Sequence, residues 1–239
     1  MFKPYFPCTF VSVQKILDMK KINFSNTLIP ILTAAFILFM WFGPITRSMF
    51  ENVLISLVIM GASFIEYKGK AFRALGFKKE NFRAKNLLII APIVGLLLFA
   101  LYVFVVVPGV TYWTGEPIDY SSFDRMEGNL AACLIALVVV WLTAGFGEEI
   151  IFRGFFMRQL VKFLGDSQAS IVIIILLTSC FFGFMHSQQG ITGQIVTAII
   201  GGLLALTFYL KQYDLWFVIV VHGVFDTVAI ACIYFGLAQ

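Results

Sequence analysis

Long apolar blocks separated by short clusters of charge run through this chain, and the lengths of the blocks set the first reading. A helix needs ~20 apolar residues at ~1.5 Å each to cross a hydrocarbon core of ~30 Å. Blocks at 27–46, 52–66, 87–107, 129–146, 169–186, 192–210 and 216–235 meet or approach that length, with 52–66 the short one. A further helical segment, 147–164, carries Glu148, Glu149, Arg153, Arg158 and Lys162 among apolar residues. It is amphipathic and cannot face lipid on all sides. No repeat at a fixed period and no low-complexity tract breaks the series. The pattern predicts an all-α fold, a polytopic membrane bundle of about eight helices. Residues 1–86 form an N-terminal segment with accessory membrane helices and a basic connector, and 87–239 form the core.

Composition agrees with a bilayer environment. Of the 239 residues 60% are apolar and 13% charged, about half the charged share of a soluble domain, roughly 25%. Lipid rather than water faces such a surface, so the polar coat is not needed. The net charge of +4 is spread through connecting segments, which reads as topology, and no nucleic-acid partner is expected. Segment 67–86 holds Lys68, Lys70, Arg73, Lys78, Lys79, Arg83 and Lys85 against Glu80 alone, which places it on the cytoplasmic side. Loop 108–128, with Glu116, Asp119, Asp124 and Glu127 against Arg125, suits the opposite side. Arg158, Lys162 and Lys211 then return to the cytoplasmic side. Cys8, Cys133, Cys180 and Cys232 have neither metal-ligand spacing nor a disulfide framework. The first 26 residues are broken by Lys3, Pro4, Pro7, Lys15, Asp18, Lys20 and Lys21, so an interfacial segment is expected there rather than a cleaved leader.

Ionisable residues inside membrane helices cost ~2.5–3.5 kcal/mol each on insertion scales, so each needs a partner or a role. Glu148, Glu149 and Arg153 lie in one segment, His186 at the end of the next, and His222 with Asp226 in the last. The two histidines are the only ones in the chain. Glu149 and Arg153 stand at i and i+4, share a helix face and neutralise each other. Glu148 points about 100° away and has no partner in its own helix. His222 and Asp226 are also i and i+4, which lets the Asp accept from one ring nitrogen and fix the other. Phe182, one turn before His186, shields that ring from water. A carboxylate, two imidazoles and an acid in a low-dielectric cleft suit activation of water by Glu148. His186, His222 and Asp226 then either stabilise an oxyanion or ligate a divalent metal such as zinc, with Glu148 a further possible ligand; two His and one carboxylate with water is a known zinc set. Spacing alone leaves both readings open, together with a proton or ion pathway.

Three strings occur in order: E-E-I-I-F-R from Glu148 to Arg153, F-G-F-M-H from Phe182 to His186, and H-G-V-F-D from His222 to Asp226. They resemble the EExxxR, FxxxH and Hxxx-Asn/Asp motifs of the type II CAAX prenyl endopeptidase and bacteriocin-processing family, the Abi or CPBP intramembrane proteases. The resemblance covers about residues 129–235, and L-G-F at 75–77 is similar to that family's approach to its core helices; residues 1–66 carry no motif. It implies an intramembrane endopeptidase, a multi-pass protein of a bacterial cell membrane, acting on a peptide or a lipid-associated protein substrate. By resemblance Glu148 activates water, and His186, His222 and Asp226 bind the oxyanion or a metal, with Glu149, Arg153 and Phe182 in support. Asp226 stands where the prenyl-protein branch commonly has Asn, which weakens transfer of the CAAX substrate itself. A non-proteolytic transporter or immunity protein is the alternative, although paired repeats or broken helices, the mark of a transporter, are not seen. If every block spans fully, Glu148 and His222 lie near the cytoplasmic side and His186 near the other, so a shared site requires 147–164 to re-enter the membrane or some helices to tilt or shorten.

Overall fold

Within residues 24–44 and 50–237, which the computed structural model of the protein describes, every regular element is helical. The expected interfacial segment at the N-terminus falls almost wholly in 1–23, outside the described residues. In chain order the helices are α1 (Phe24–Phe42), α2 (Glu51–Tyr67), α3 (Ala71–Leu75), α4 (Asn86–Thr114), α5 (Leu130–Leu164), α6 (Gln168–Phe184), α7 (Gly190–Leu210) and α8 (Leu215–Tyr234). Four of them, α4, α5, α7 and α8, are long and apolar enough to cross a membrane, and the segments Asn26–Phe42 and Gln168–Phe184 are shorter apolar helices. Leu97, Phe104, Ile135, Val138 and Leu176 each stand more than half exposed on the outer faces. Apolar surface on that scale is a liability in water and a requirement in lipid. The molecule is an integral membrane helical bundle.

Local chemistry sets the helix ends. Asn129, Ser167 and Asp214 accept from the amides of Ala132, Ser170 and Phe217 and so cap α5, α6 and α8. Gly115, at φ 75°, takes the left-handed position that closes α4. The α1 block stops at Phe42 rather than 46, where Gly43 precedes Pro44 and the residue before a proline is steered away from helix. Conversely, α4 runs on to Thr114, beyond the expected end at 107. The π-helical turn Tyr102–Val106 shifts the hydrogen-bond ladder just before Pro108, so the missing proline amide does not end the helix.

The larger departure is α5. The expected break between 129–146 and 147–164 is absent, and one helix of 35 residues spans both. Charge argues against a lipid-facing span there, but the charged stretch of α5 is covered by protein instead. Every residue from Glu149 to Phe155 is buried, against α2, α3, α6 and α8. Ile150, Ile151, Phe152 and Phe155 join Ile37 and Trp41 of α1, Ile55 and Ile59 of α2, Phe182 of α6 and Leu215 of α8 in the main core. Much of this central stretch is π-helical, Trp141–Glu148 and Ile150–Met157, a wider turn that often re-aims side chains at functional sites. A second core joins α4, α7 and α8 around Ala91, Leu204, Phe217 and Val221.

Candidate active site

Glu149 is the centre of a buried network built from three helices. Its Oε1 accepts from Arg153 Nη1 at 2.7 Å and from His222 Nδ1 at 2.7 Å. Arg153 Nη2 donates to the Gly201 carbonyl of α7 at 2.7 Å, and its guanidinium lies 4.9 Å from the centroid of the Phe182 ring. The i, i+4 pair expected from spacing therefore forms, and it reaches further than the spacing told. Because a carboxylate can only accept, Nδ1 of His222 carries its proton toward Glu149. Asp226 Oδ2 approaches the opposite nitrogen, Nε2, at 3.4 Å. Asp226 thus reaches one ring nitrogen, as its i, i+4 spacing allows, while Glu149 takes the other at the shorter distance.

Phe182 is wedged between the two histidines. Its ring centroid is 4.8 Å from that of His186 and 6.2 Å from that of His222, and the side chain is 3% exposed. His186 Nδ1 donates to the Phe182 carbonyl at 2.8 Å, which leaves Nε2 available. Gly183, next in the motif, permits a close approach of α6 to α7, since a Cβ there would stand 2.3 Å from the Gln194 carbonyl oxygen. Glu148, His186 and Asp226 are half-buried, whereas Glu149, Arg153 and His222 are buried. Glu148 and His186 both act electrostatically on Asp226, as His222 and Glu149 do. The polar groups thus fall into a closed inner layer and a more open outer one.

The depth conflict noted above disappears with the continuous α5. At ~1.5 Å per residue Glu148 lies about 24 Å along α5 from Leu164, and His186 lies about 27 Å along from Gln168. Both distances start from the same tight α5–α6 turn, so the two groups sit at similar depth.

Two further residues contribute that the sequence reading missed. Asn52 of α2 donates from Nδ2 to Glu148 Oε1 at 3.3 Å, and Trp41 Nε1 of α1 donates to Asn52 Oδ1 at 3.4 Å. The available signal was an amide inside an apolar block, which needs a polar partner as a charge does.

A zinc site requires nitrogens and carboxylate oxygens to converge at ~2.0–2.2 Å. Among the described residues no three His, Cys, Asp or Glu side chains are grouped to hold an ion. Both ring nitrogens of His222 face carboxylates, and Nδ1 of His186 is bonded to a backbone carbonyl. The residues as arranged do not fit a three-ligand metal centre.

Residues 130–228 match the family model of the type II CAAX prenyl endopeptidase Rce1-like proteins. By that match the chain carries an Rce1-like domain. The domain runs from the start of α5 into α8 and contains Glu148, Glu149, Arg153, Phe182, His186, His222 and Asp226. The Rce1-like family is one of CAAX endopeptidases, so the enzyme is a peptidase. Neither a curated protein nor a solved structure gives a match.

Proposed function

We propose that this peptidase hydrolyses a peptide bond of a membrane-associated substrate inside the bilayer, with Glu148 as the base that activates water. The observation that carries this reading is the contrast between two adjacent carboxylates. Glu149 is sealed and occupied by Arg153 and His222, while Glu148 is half-buried and accepts from the neutral amide of Asn52. As water attacks the carbonyl carbon, Glu148 takes its proton. The oxyanion of the tetrahedral intermediate is received by the Nε2–H of a doubly protonated His222, held from behind by Glu149 through Nδ1–H, with a protonated Asp226 beside it. Glu148 then returns the proton to the departing amide nitrogen as the C–N bond breaks. His186, backed by Phe182, offers Nε2 to the water on the other side.

The substrate that suits the family match is the tail of a prenylated protein ending in a CAAX sequence, entered from the side on which 67–86 lies, the cytoplasm. The test is cleavage of quenched fluorescent peptides, with and without a prenyl group, by purified protein in detergent. Glu148→Gln keeps shape and loses the proton acceptor, so kcat should fall by ~10²–10⁴ with the fold intact. Full turnover by folded Glu148→Gln removes Glu148 from the chemistry, and absence of cleavage by the wild type favours a binding or transport role for the polar cluster.

A further inference from the structure

Glu148 is held from outside the Rce1-like domain. Asn52, the second residue of α2, lies in the stretch 1–66, which carries no motif. Its Nδ2 points at Glu148 Oε1, 3.3 Å away, and its Oδ1 faces Trp41 Nε1 at 3.4 Å. An indole N–H can only donate, so it fixes which end of the amide is oxygen and turns the NH2 group toward the carboxylate. Trp41 is itself clamped, 6% exposed and stacked on Phe152 of α5 at 5.7 Å between centroids. One turn along α2, Ser56 Oγ lies 3.1 Å from the Gly147 carbonyl oxygen and 2.7 Å from that of Asn52. Gly147 has no room for a side chain, because its Cβ would stand 3.1 Å from the Asn52 Cβ and 3.3 Å from the Asn52 backbone. The backbone of α2 is therefore seated on α5 one residue before Glu148, and a rigid chain Trp41–Asn52–Glu148 links three helices.

We infer that Asn52 is a positioning residue for the reaction: its amide occupies Glu148 Oε1 and leaves Oε2 turned toward the attacking water. The inference rests on the reading of Glu148 as base. A glutamate rotates freely about its last bond and presents either oxygen, whereas proton transfer needs one oxygen at ~2.6–3.2 Å from the water in a fixed direction. Without the amide the carboxylate spends less time aimed, and small misplacements cost rate rather than binding. Trp41 acts one step further back, through Asn52.

The experiment compares kcat and KM for wild type, Asn52→Ala, Trp41→Phe and Glu148→Gln on the same fluorescent prenylated peptide, with a melting curve for each protein. Asn52→Ala should lose about tenfold in kcat with KM unchanged, the loss of one hydrogen bond to a charged group. Trp41→Phe removes the indole N–H together with one of the two fused rings, so kcat should fall by about threefold with KM unchanged, beside a lower melting temperature from the lost packing. A purely structural role would move the melting temperature, or KM and kcat together, and would leave kcat of the folded Trp41→Phe protein unchanged. Wild-type kcat in Asn52→Ala beside an inactive Glu148→Gln overturns this inference and leaves the base reading standing. An active Glu148→Gln overturns the base reading first. Should Asn52→Ala not fold, Trp41→Phe decides alone: unchanged kcat overturns the inference, and a selective fall in kcat supports it.

Discussion

Replacing Arg153 by Ala removes three contacts at once: Nη1 to Glu149, Nη2 to the Gly201 carbonyl, and the guanidinium face on Phe182. The Glu149 side chain is 0% exposed and that of Arg153 3%, so little water reaches the gap without rearrangement. Breaking one side of a buried ion pair costs ~3–5 kcal/mol, because the other charge stays buried. The unpaired Gly201 carbonyl alone is worth ~1–3 kcal/mol. His222 Nδ1 still serves Glu149 Oε1, which offsets part of the loss, whereas Glu149 Oε2 has no hydrogen-bond partner among the described residues even before the substitution. A net cost of about 4 kcal/mol is expected, and at ~2–4 °C per kcal/mol for a chain of this size the melting temperature should fall by roughly 8–16 °C. Arg153→Lys keeps the charge but not the fork that reaches two acceptors on two helices, so about half that loss should remain. The assay is a tryptophan-fluorescence melt in detergent, with gel filtration to exclude aggregates. An Arg153→Ala protein melting within about 2 °C of wild type refutes the reasoning, since no buried pair of this geometry should be dispensable. A folded Arg153→Ala that binds substrate and never turns over moves the guanidinium into the chemistry.

Two further outcomes concern the ends of the helices. Lys162 Nζ lies 2.6 Å from Glu66 Oε1, with side-chain exposures of 30% and 2%; water reaches the lysine, so Lys162→Met should cost about 2 kcal/mol rather than the full value for a sealed pair. Adding Glu66→Gln should recover most of it, and additive losses in the double variant would show that the pair does not couple. Burial raises the Asp214 carboxyl above its ordinary 3.8, against the pull of the Phe217 amide and Lys78. The folded protein then holds that proton more tightly than the unfolded chain, so stability falls as pH rises from about 3.8 through the raised value. Asp214→Asn keeps an acceptor for the α8 cap without the charge and should melt above wild type at neutral pH, with the gap closing below pH 3.8. A gap that stays constant across pH assigns the effect to something other than ionisation.

The membrane helices were legible because lipid-facing residues must be apolar over a fixed length, a constraint that needs no tertiary information. The Glu149–Arg153 pair was legible too, since i, i+4 spacing puts both on one face whatever surrounds them. Contacts between helices were not. Nothing in the spacing says that Glu149 and not Asp226 takes Nδ1 of His222, or that the neutral Asn52 lies against Glu148. The α5 boundary was misread because a window of charge signals exposure to water, whereas Glu149 and Arg153 are satisfied by neighbouring helices. The same misplaced boundary produced the conflict over the depth of His186.

A straight helix of 35 residues is about 52 Å long, while the hydrocarbon core of a bilayer is ~30 Å thick. Some ~20 Å of α5 therefore belongs to headgroups or water, or is taken up by tilt. Arg158 is a natural marker for the boundary, since it donates to the Ala74 carbonyl of the basic connector and lies 4.7 Å from the Tyr213 ring centroid. With Arg158 at that level, Glu148 is ten residues and so about 15 Å further in, near the bilayer midplane. An extended strand advances ~3.3 Å per residue, so a peptide bond must be followed or preceded by about five residues before its chain regains the headgroups. On the proposal that Glu148 is the base, the long helix would act as a depth gauge, selecting substrates by how far a stretch of chain leaves water.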